Sequence, residues 1–244
     1  MSTAPDVYGL TAAVLRPVRG HHAFEACVEQ LATAIRLGVY PYGAALPSER
    51  DLSELLGVSR ATLREAIAAL RAAGLVETTR GRGGGTVVRR QPARRKSAAR
   101  AAIKGRHDDL LDSLLFRSVV EPGAAALAAG RDLDEATREL LTETLDAVSA
   151  ASPGTEHRQC DSRLHLAIAA ASGSRRTMVA VTQAQADLDE MLQAIPVLAP
   201  NISHSTAQHR SIVAAILSGN PRKASRVMAE HCEDTAALLR GLLV

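Results

Sequence analysis

Apolar residues recur at helical spacing along most of this chain, and the breaks between the runs divide it into elements. Phe24, Val28, Leu31, Ile35 and Leu37 mark a helix within residues 21–37, ended by Gly38. A Pro/Gly connection follows over 41–47. Leu52, Leu55 and Leu56 mark a short second helix, with Ser48 as its N-cap, Asp51 as a weak capping-box partner and Gly57 as its stop. Ser59 can cap a third helix with a buried stripe of Leu63, Ile67 and Leu70, ended by Gly74. Residues 75–79 and 86–89 read as two short strands joined by RGRGGG. Six more helical segments follow, at about 108–129, 134–151, 156–172, 175–194, 203–218 and 221–242, with Asn220 as an N-cap and Pro221 at a first helical position. None of this second region alternates as a strand would. The expected fold class is mainly α: two helices and a tight turn with a small β-hairpin, then an all-α bundle with short antiparallel connections.

The 244 residues suffice for two domains of ordinary size. Two Phe, three Tyr and no Trp predict an aliphatic, helical core. No apolar run reaches the length needed to span a bilayer, and the first 20 residues lack the pattern of a signal peptide. The expected location is therefore cytoplasmic. Cys27, Cys160 and Cys232 follow no zinc-finger spacing and are expected as reduced thiols. Charge divides the chain more sharply than its net +3 suggests. Residues 1–106 hold 17 Lys/Arg against 8 Asp/Glu, and residues 107–244 hold 12 against 18. A basic domain joined to an acidic one suits a nucleic-acid reader with a separate sensing domain. The boundaries follow: a loose tail at 1–20, a first domain at 21–90, a basic linker at 91–106 (with Pro92 and the run RRK) and a second domain at 107–244.

The third helix carries the first chemistry. Arg60 and Arg64 lie one turn apart on its outer face, with Ala61 and Thr62 beside them. A small-residue surface with arginines at a helix start fits the major groove, where arginine reads guanine edges and binds phosphates. The glycine-rich loop is not followed by Lys-Ser/Thr or a helix, so a nucleotide P-loop is disfavoured. LPSER at 46–50, GVSR at 57–60, LREA at 63–66, GLV at 74–76 and RGRGGGTVV at 80–88 resemble the winged helix-turn-helix of GntR-type bacterial transcription regulators. The resemblance implies binding of double-stranded DNA at a short palindromic operator. It gives base or phosphate contacts to Arg50, Arg60 and Arg64, with Thr62, Gly81 and Gly83 close to the DNA backbone.

The second domain carries the other. Asp161 and His165 are spaced i, i+4 and share a helix face; His209 and His231 lie on two later helices. One carboxylate and three imidazoles can converge in a bundle and hold a divalent ion with open positions. His157, four residues before Asp161, leaves the set open on spacing alone. FRSVVEPGAAALAA at 116–129, CDSRLHLAIAAASG at 160–173, QHRSIVAAILSGNPRKA at 208–224 and VMAEHCED at 227–234 resemble the FCD effector domain of the FadR subfamily. The resemblance implies Asp161, His165, His209 and His231 as ligands, with zinc first and nickel or manganese as the other candidates. It leaves His21, His22, His107, His157 and His204 as surface residues. It also implies a small organic acid beside the metal. Arg117 is the candidate partner for its carboxylate, against a plain ion pair with Glu121.

The reading is then a non-enzymatic, homodimeric transcription regulator, acting by repression and released by its effector. The alternatives are a metalloregulator using the same ligands, a metal-dependent hydrolase, for which no general base or G-x-S-x-G motif is evident, and a nucleoid protein indifferent to sequence.

Overall fold

The computed structural model describes residues 7–18, 23–79, 85–89 and 96–243. The chain divides into two compact units, residues 1–92 and 93–244.

The first unit is built on α2 (Ala23–Arg36), α3 (Glu49–Leu56) and α4 (Arg60–Ala72). α2 buries Cys27, Leu31, Ala34 and Ile35, and α4 packs on it through Leu63, Ala66, Ile67 and Leu70. The turn between α3 and α4 forms because both its ends are capped. Gly57 closes α3 at φ +64°, and Ser59 Oγ accepts the Thr62 amide at 3.1 Å to open α4. Ser48 Oγ likewise accepts the Asp51 amide at 3.2 Å. Strands β1 (Val76–Thr78) and β2 (Thr86–Val88) pair antiparallel, with Val76 opposite Val88.

Two expectations for this region change. The N-terminal tail holds a helix, α1 (Val7–Val14), with Leu10, Val14 and Leu15 buried. The Leu10/Val14 spacing alone is a weak helical signal; burial against the unit makes it count. The connection at 41–47 also adds to the wing: Val88 donates to Ala44 O at 2.9 Å and Leu46 to Thr86 O at 2.8 Å. An edge strand leaves such groups open, and a neighbouring extended segment satisfies them.

The second unit opens with α5 (Lys96–Ile103), where a linker was expected. Its basic sequence conceals Ala99 and Ile103, spaced i, i+4 and buried beside Leu188, Met191 and Ile195. The bundle comprises α6 (His107–Ala129), α7 (Glu135–Ala150), α8 (Thr155–Ala171), α9 (Arg175–Ala194), α10 (Ala199–Leu217) and α11 (Pro221–Leu243). α6 packs against α8, α9, α10 and α11 and is its central helix. Asp134, Ser174 and Asn220 cap α7, α9 and α11. α10 starts four residues before the expected 203, because Pro200 is tolerated in its first turn.

Candidate functional site

On α4, the face opposite the buried stripe presents Arg60, Ala61 and Arg64 to solvent. Arg64 Nε pairs with Glu49 Oε2 at 2.7 Å across the helix-turn-helix, and Arg50 Nε with Asp51 Oδ1 at 3.3 Å. Both pairs are exposed, and such pairs contribute at most about 1 kcal/mol, so either arginine can exchange its partner for a phosphate at small cost. Thr62 Oγ1 lies 2.9 Å from Ser59 Oγ and so belongs to the cap. Gly81 and Gly83 fall outside the described residues.

In the bundle, α8, α10 and α11 bring His165, His209 and His231 together in the core. Their ring centroids lie 4.6–5.4 Å apart, and one nitrogen from each lies within 4.8 Å of the others. Asp161, one turn before His165, sits with Oδ1 3.5 Å from His209 Nε2 and Oδ2 3.9 Å from His165 Nε2. Ligands about 2.1 Å from a zinc ion at tetrahedral angles lie roughly 3.4 Å apart. Neighbours fix the ring tautomers. His231 Nδ1 lies 3.1 Å from Gln208 Oε1, which only accepts, so Nδ1 carries the proton and Nε2 keeps its lone pair. His165 Nδ1 lies 2.5 Å from Glu121 Oε2, with the same consequence. His165 Nε2 and Asp161 then face each other as two acceptors with no proton between them, a juxtaposition that suits a cation. Burial lowers the His209 pKa to about 4, although Asp161 pulls it upward, and burial with the other imidazoles holds His231 well below the usual histidine range. Both rings are therefore neutral near pH 7, the form that ligates metal.

Arg117 is 1 % exposed on α6 and donates from Nε to Glu121 Oε1 at 3.0 Å. Its Nη1 and Nη2 are buried with no hydrogen-bond partner among the described residues. The ion pair and an unpartnered edge thus coexist on one guanidinium. Glu121 also accepts from Gln185 Nε2 at 2.7 Å. Burial would raise its pKa, but Arg117, His165 and Gln185 outweigh that and hold it well below the carboxylate range. Arg117, Asp161 and His231 are among the residues that line a cavity of about 80 Å³.

Sequence reasoning named Glu121 only as an ion-pair partner of Arg117, passed over Gln185 and Gln208, and misplaced His157. Glu121, Gln185 and Gln208 orient the cluster, and their signal was a polar residue at a core position: Gln185 falls in the stripe Val181, Ala184 and Leu188. His157, expected at the surface, is 8 % exposed and lines the cavity, since it sits on the face of α8 that carries Asp161 and His165. His204 and His107 are exposed as expected. The three cysteines are free; burial pushes the Cys232 thiol up to about 12.

Residues 24–88 match the gntR family of bacterial regulatory proteins, and residues 112–234 match the FCD domain. The chain belongs to the GntR family. It is 33 % identical to the HTH-type transcriptional regulator Mce2R of Mycobacterium tuberculosis over 94 % of this chain and 97 % of that protein. It is 32 % identical to the Glc operon transcriptional activator of Escherichia coli over 85 % of each. Among solved structures, E. coli McbR/YncC shares the fold, with a TM-score of 0.53 at 18 % identity over 91 % of this chain and 99 % of that one. This GntR-family chain is thus a DNA-binding transcriptional regulator and not an enzyme, which removes the hydrolase reading. Among the described residues no helix is long and apolar enough to cross a membrane.

Proposed function

We propose that this regulator binds a palindromic operator as a homodimer and releases it when a small organic acid binds beside a divalent metal ion in the FCD domain. The observation that carries this is the buried meeting of His165, His209 and His231, with half-buried Asp161 against two of them, in a bundle that also holds the two unpartnered nitrogens of Arg117. The four side chains would hold the ion, zinc before nickel or manganese, and the ion would supply open positions for a carboxylate. Arg117 would take the same carboxylate through its Nη edge. Its free edge favours an organic effector over a metalloregulator, which needs no such group.

Contacts from the cavity to α5, the first helix of the second unit, also support this reading. Leu188 and Ile195 line the cavity and pack in the same cluster as Ala99 and Ile103 of α5. Arg100 Nε donates to Ala194 O at 3.2 Å, immediately before the cavity-lining residues Ile195 to Leu198. A ligand that shifts this segment shifts α5, the helix through which the chain continues from the DNA-binding unit. Support for the homodimer comes from α6, where Leu115, Val119 and Leu127 form one stripe and are 65, 68 and 50 % exposed.

The test is a thermal-shift screen of chelator-stripped protein with zinc, nickel or manganese, each alone and then with small organic acids. A ligand at about 100 times its Kd adds about 2.7 kcal/mol of stability. An acid that stabilises only with metal present supports the reading. A full shift from metal alone, with nothing added by any acid, makes the metal itself the signal or a structural part. For the sign of regulation, deleting the protein should raise a reporter driven from its operator; a fall would make it an activator, as the E. coli relative is named.

A further inference from the structure

We propose that the effector cavity takes a short-chain aliphatic monocarboxylic acid, with its carboxylate on Arg117 and His157 and its chain along Leu188, Leu192, Ile195 and Leu238. The inference rests on the effector reading above and specifies its ligand class. Three features of the cavity select that class.

The first is charge. Arg117 lines the cavity with its charge balanced by buried Glu121 behind it, and Asp161 adds one negative charge to the lining. With a divalent ion on neutral imidazoles the site carries one net positive charge, which a monoanion neutralises and a dianion overshoots.

The second is the placing of unpartnered nitrogens. Arg117 Nη1 and Nη2 and His157 Nε2 are buried without hydrogen-bond partners among the described residues, and both residues line the cavity. The other guanidinium of the lining, Arg158, is partly engaged: Nη2 donates to Thr155 Oγ1 at 3.2 Å, and Nε makes no hydrogen bond but lies 3.8 Å from Asp189 Oδ1. Of the two, Arg117 alone has both Nη atoms buried and unpartnered, and one carboxylate fits that fork.

The third is the aliphatic share of the lining, Leu188, Leu192, Ile195, Leu198, Ile202 and Leu238, which outnumbers the neutral polar side chains there, Asn201, Ser205 and Thr235. A hydroxyl or second carboxylate set against those aliphatic side chains would lose its water without gaining a partner, whereas methylenes gain by leaving water. The volume of about 80 Å³ holds roughly five to eight water-sized groups, which corresponds to butanoate to hexanoate.

The test uses the full-length protein loaded with zinc, with zinc stoichiometry measured first and separately. Isothermal titration then compares acetate, butanoate and pentanoate with succinate and gluconate. Affinity should rise by about fourfold per added methylene up to pentanoate. Succinate and gluconate should bind at least about tenfold more weakly than pentanoate, since each sets polar groups against the aliphatic side chains. H157Q should weaken acetate and pentanoate by a similar factor, because it acts on the head. L192Q should remove most of the gain between them. A flat chain-length series, or tighter binding of succinate or gluconate, overturns the ligand class while leaving the metal and effector reading intact. No acid binding to protein that holds one zinc per chain overturns the effector reading; no zinc bound overturns the metal site beneath it.

Discussion

Glu121 shows how closely the buried residues depend on one another. One carboxylate satisfies Arg117 Nε and Gln185 Nε2 and lies against His165 Nδ1. Removing one partner of a buried pair leaves the other charge uncompensated, at a cost of about 3–5 kcal/mol. E121Q should therefore lower the unfolding free energy by about that much in urea titration. Because Glu121 orients a candidate ligand, the same change should weaken zinc binding by roughly 10- to 100-fold in chelator competition. The histidines set a pH dependence. In the unfolded chain His209 takes a proton near pH 6.5, and in the folded chain only near 4. Between those values the unfolded state binds more protons, so stability is full above about 6.5 and falls as pH drops toward 4. His231 shifts in the same direction. Metal-stripped protein should lose roughly 3 kcal/mol across that window from His209 alone, as followed by denaturant titration at each pH. Stability that is level from pH 7 to 4 would contradict the burial of neutral imidazoles.

At the scale of elements, the DNA-reading half depends on a turn whose ends are separately capped. Gly57 adopts φ +64°, and a Cβ there would come within 3.3 Å of Pro17 Cβ. G57A should cost about 1 kcal/mol or slightly more in thermal unfolding. S59A removes the acceptor for the Thr62 amide and should cost about 1 kcal/mol, while fraying the turn that carries Arg60. α5 is the element that composition misrepresents. Its charges read as a solvated linker, yet Ala99 and Ile103 are packed and Arg100 holds the end of α9. R100A should reduce the change in operator affinity that the effector produces, with effector affinity much less altered; fluorescence anisotropy with and without ligand measures both. An unchanged response would show that α5 does not carry it. The wing shows a smaller version of the same lesson, since the Pro/Gly connection pairs with β2 through hydrogen bonds that no local pattern announces.

At the scale of the molecule, a basic stretch (residues 1–106) and an acidic one (107–244) share the chain, and the proposed assembly has two copies. The stripe Leu115, Val119 and Leu127 offers an apolar face whose loss should not disturb the core, because these side chains are exposed in the single chain. V119E should shift a homodimer toward monomer in light scattering and weaken operator binding, with the melting temperature of the single chain little changed. A dimer that persists with V119E would move the interface elsewhere. Operator binding should also fall steeply with salt, because displaced counterions supply much of the affinity of arginine for phosphate.

Capping residues, glycine stops and the helical stripes are local in sequence. For that reason the helix-turn-helix, its hairpin and the six bundle helices could be read in order along the chain to within a few residues. The Asp161/His165 pair was also local, at one turn of one helix. His209 and His231 were tied to it through resemblance, since spacing across three helices carries no distance. What folding alone decided was which polar residues are buried, and against what. His157 went from an expected surface position to the cavity wall, Glu121 and Gln185 became the supports of the cluster, and the charged linker became a packed helix. Each of these depends on the energy of removing a group from water beside a particular neighbour, and such neighbours are far apart in the sequence.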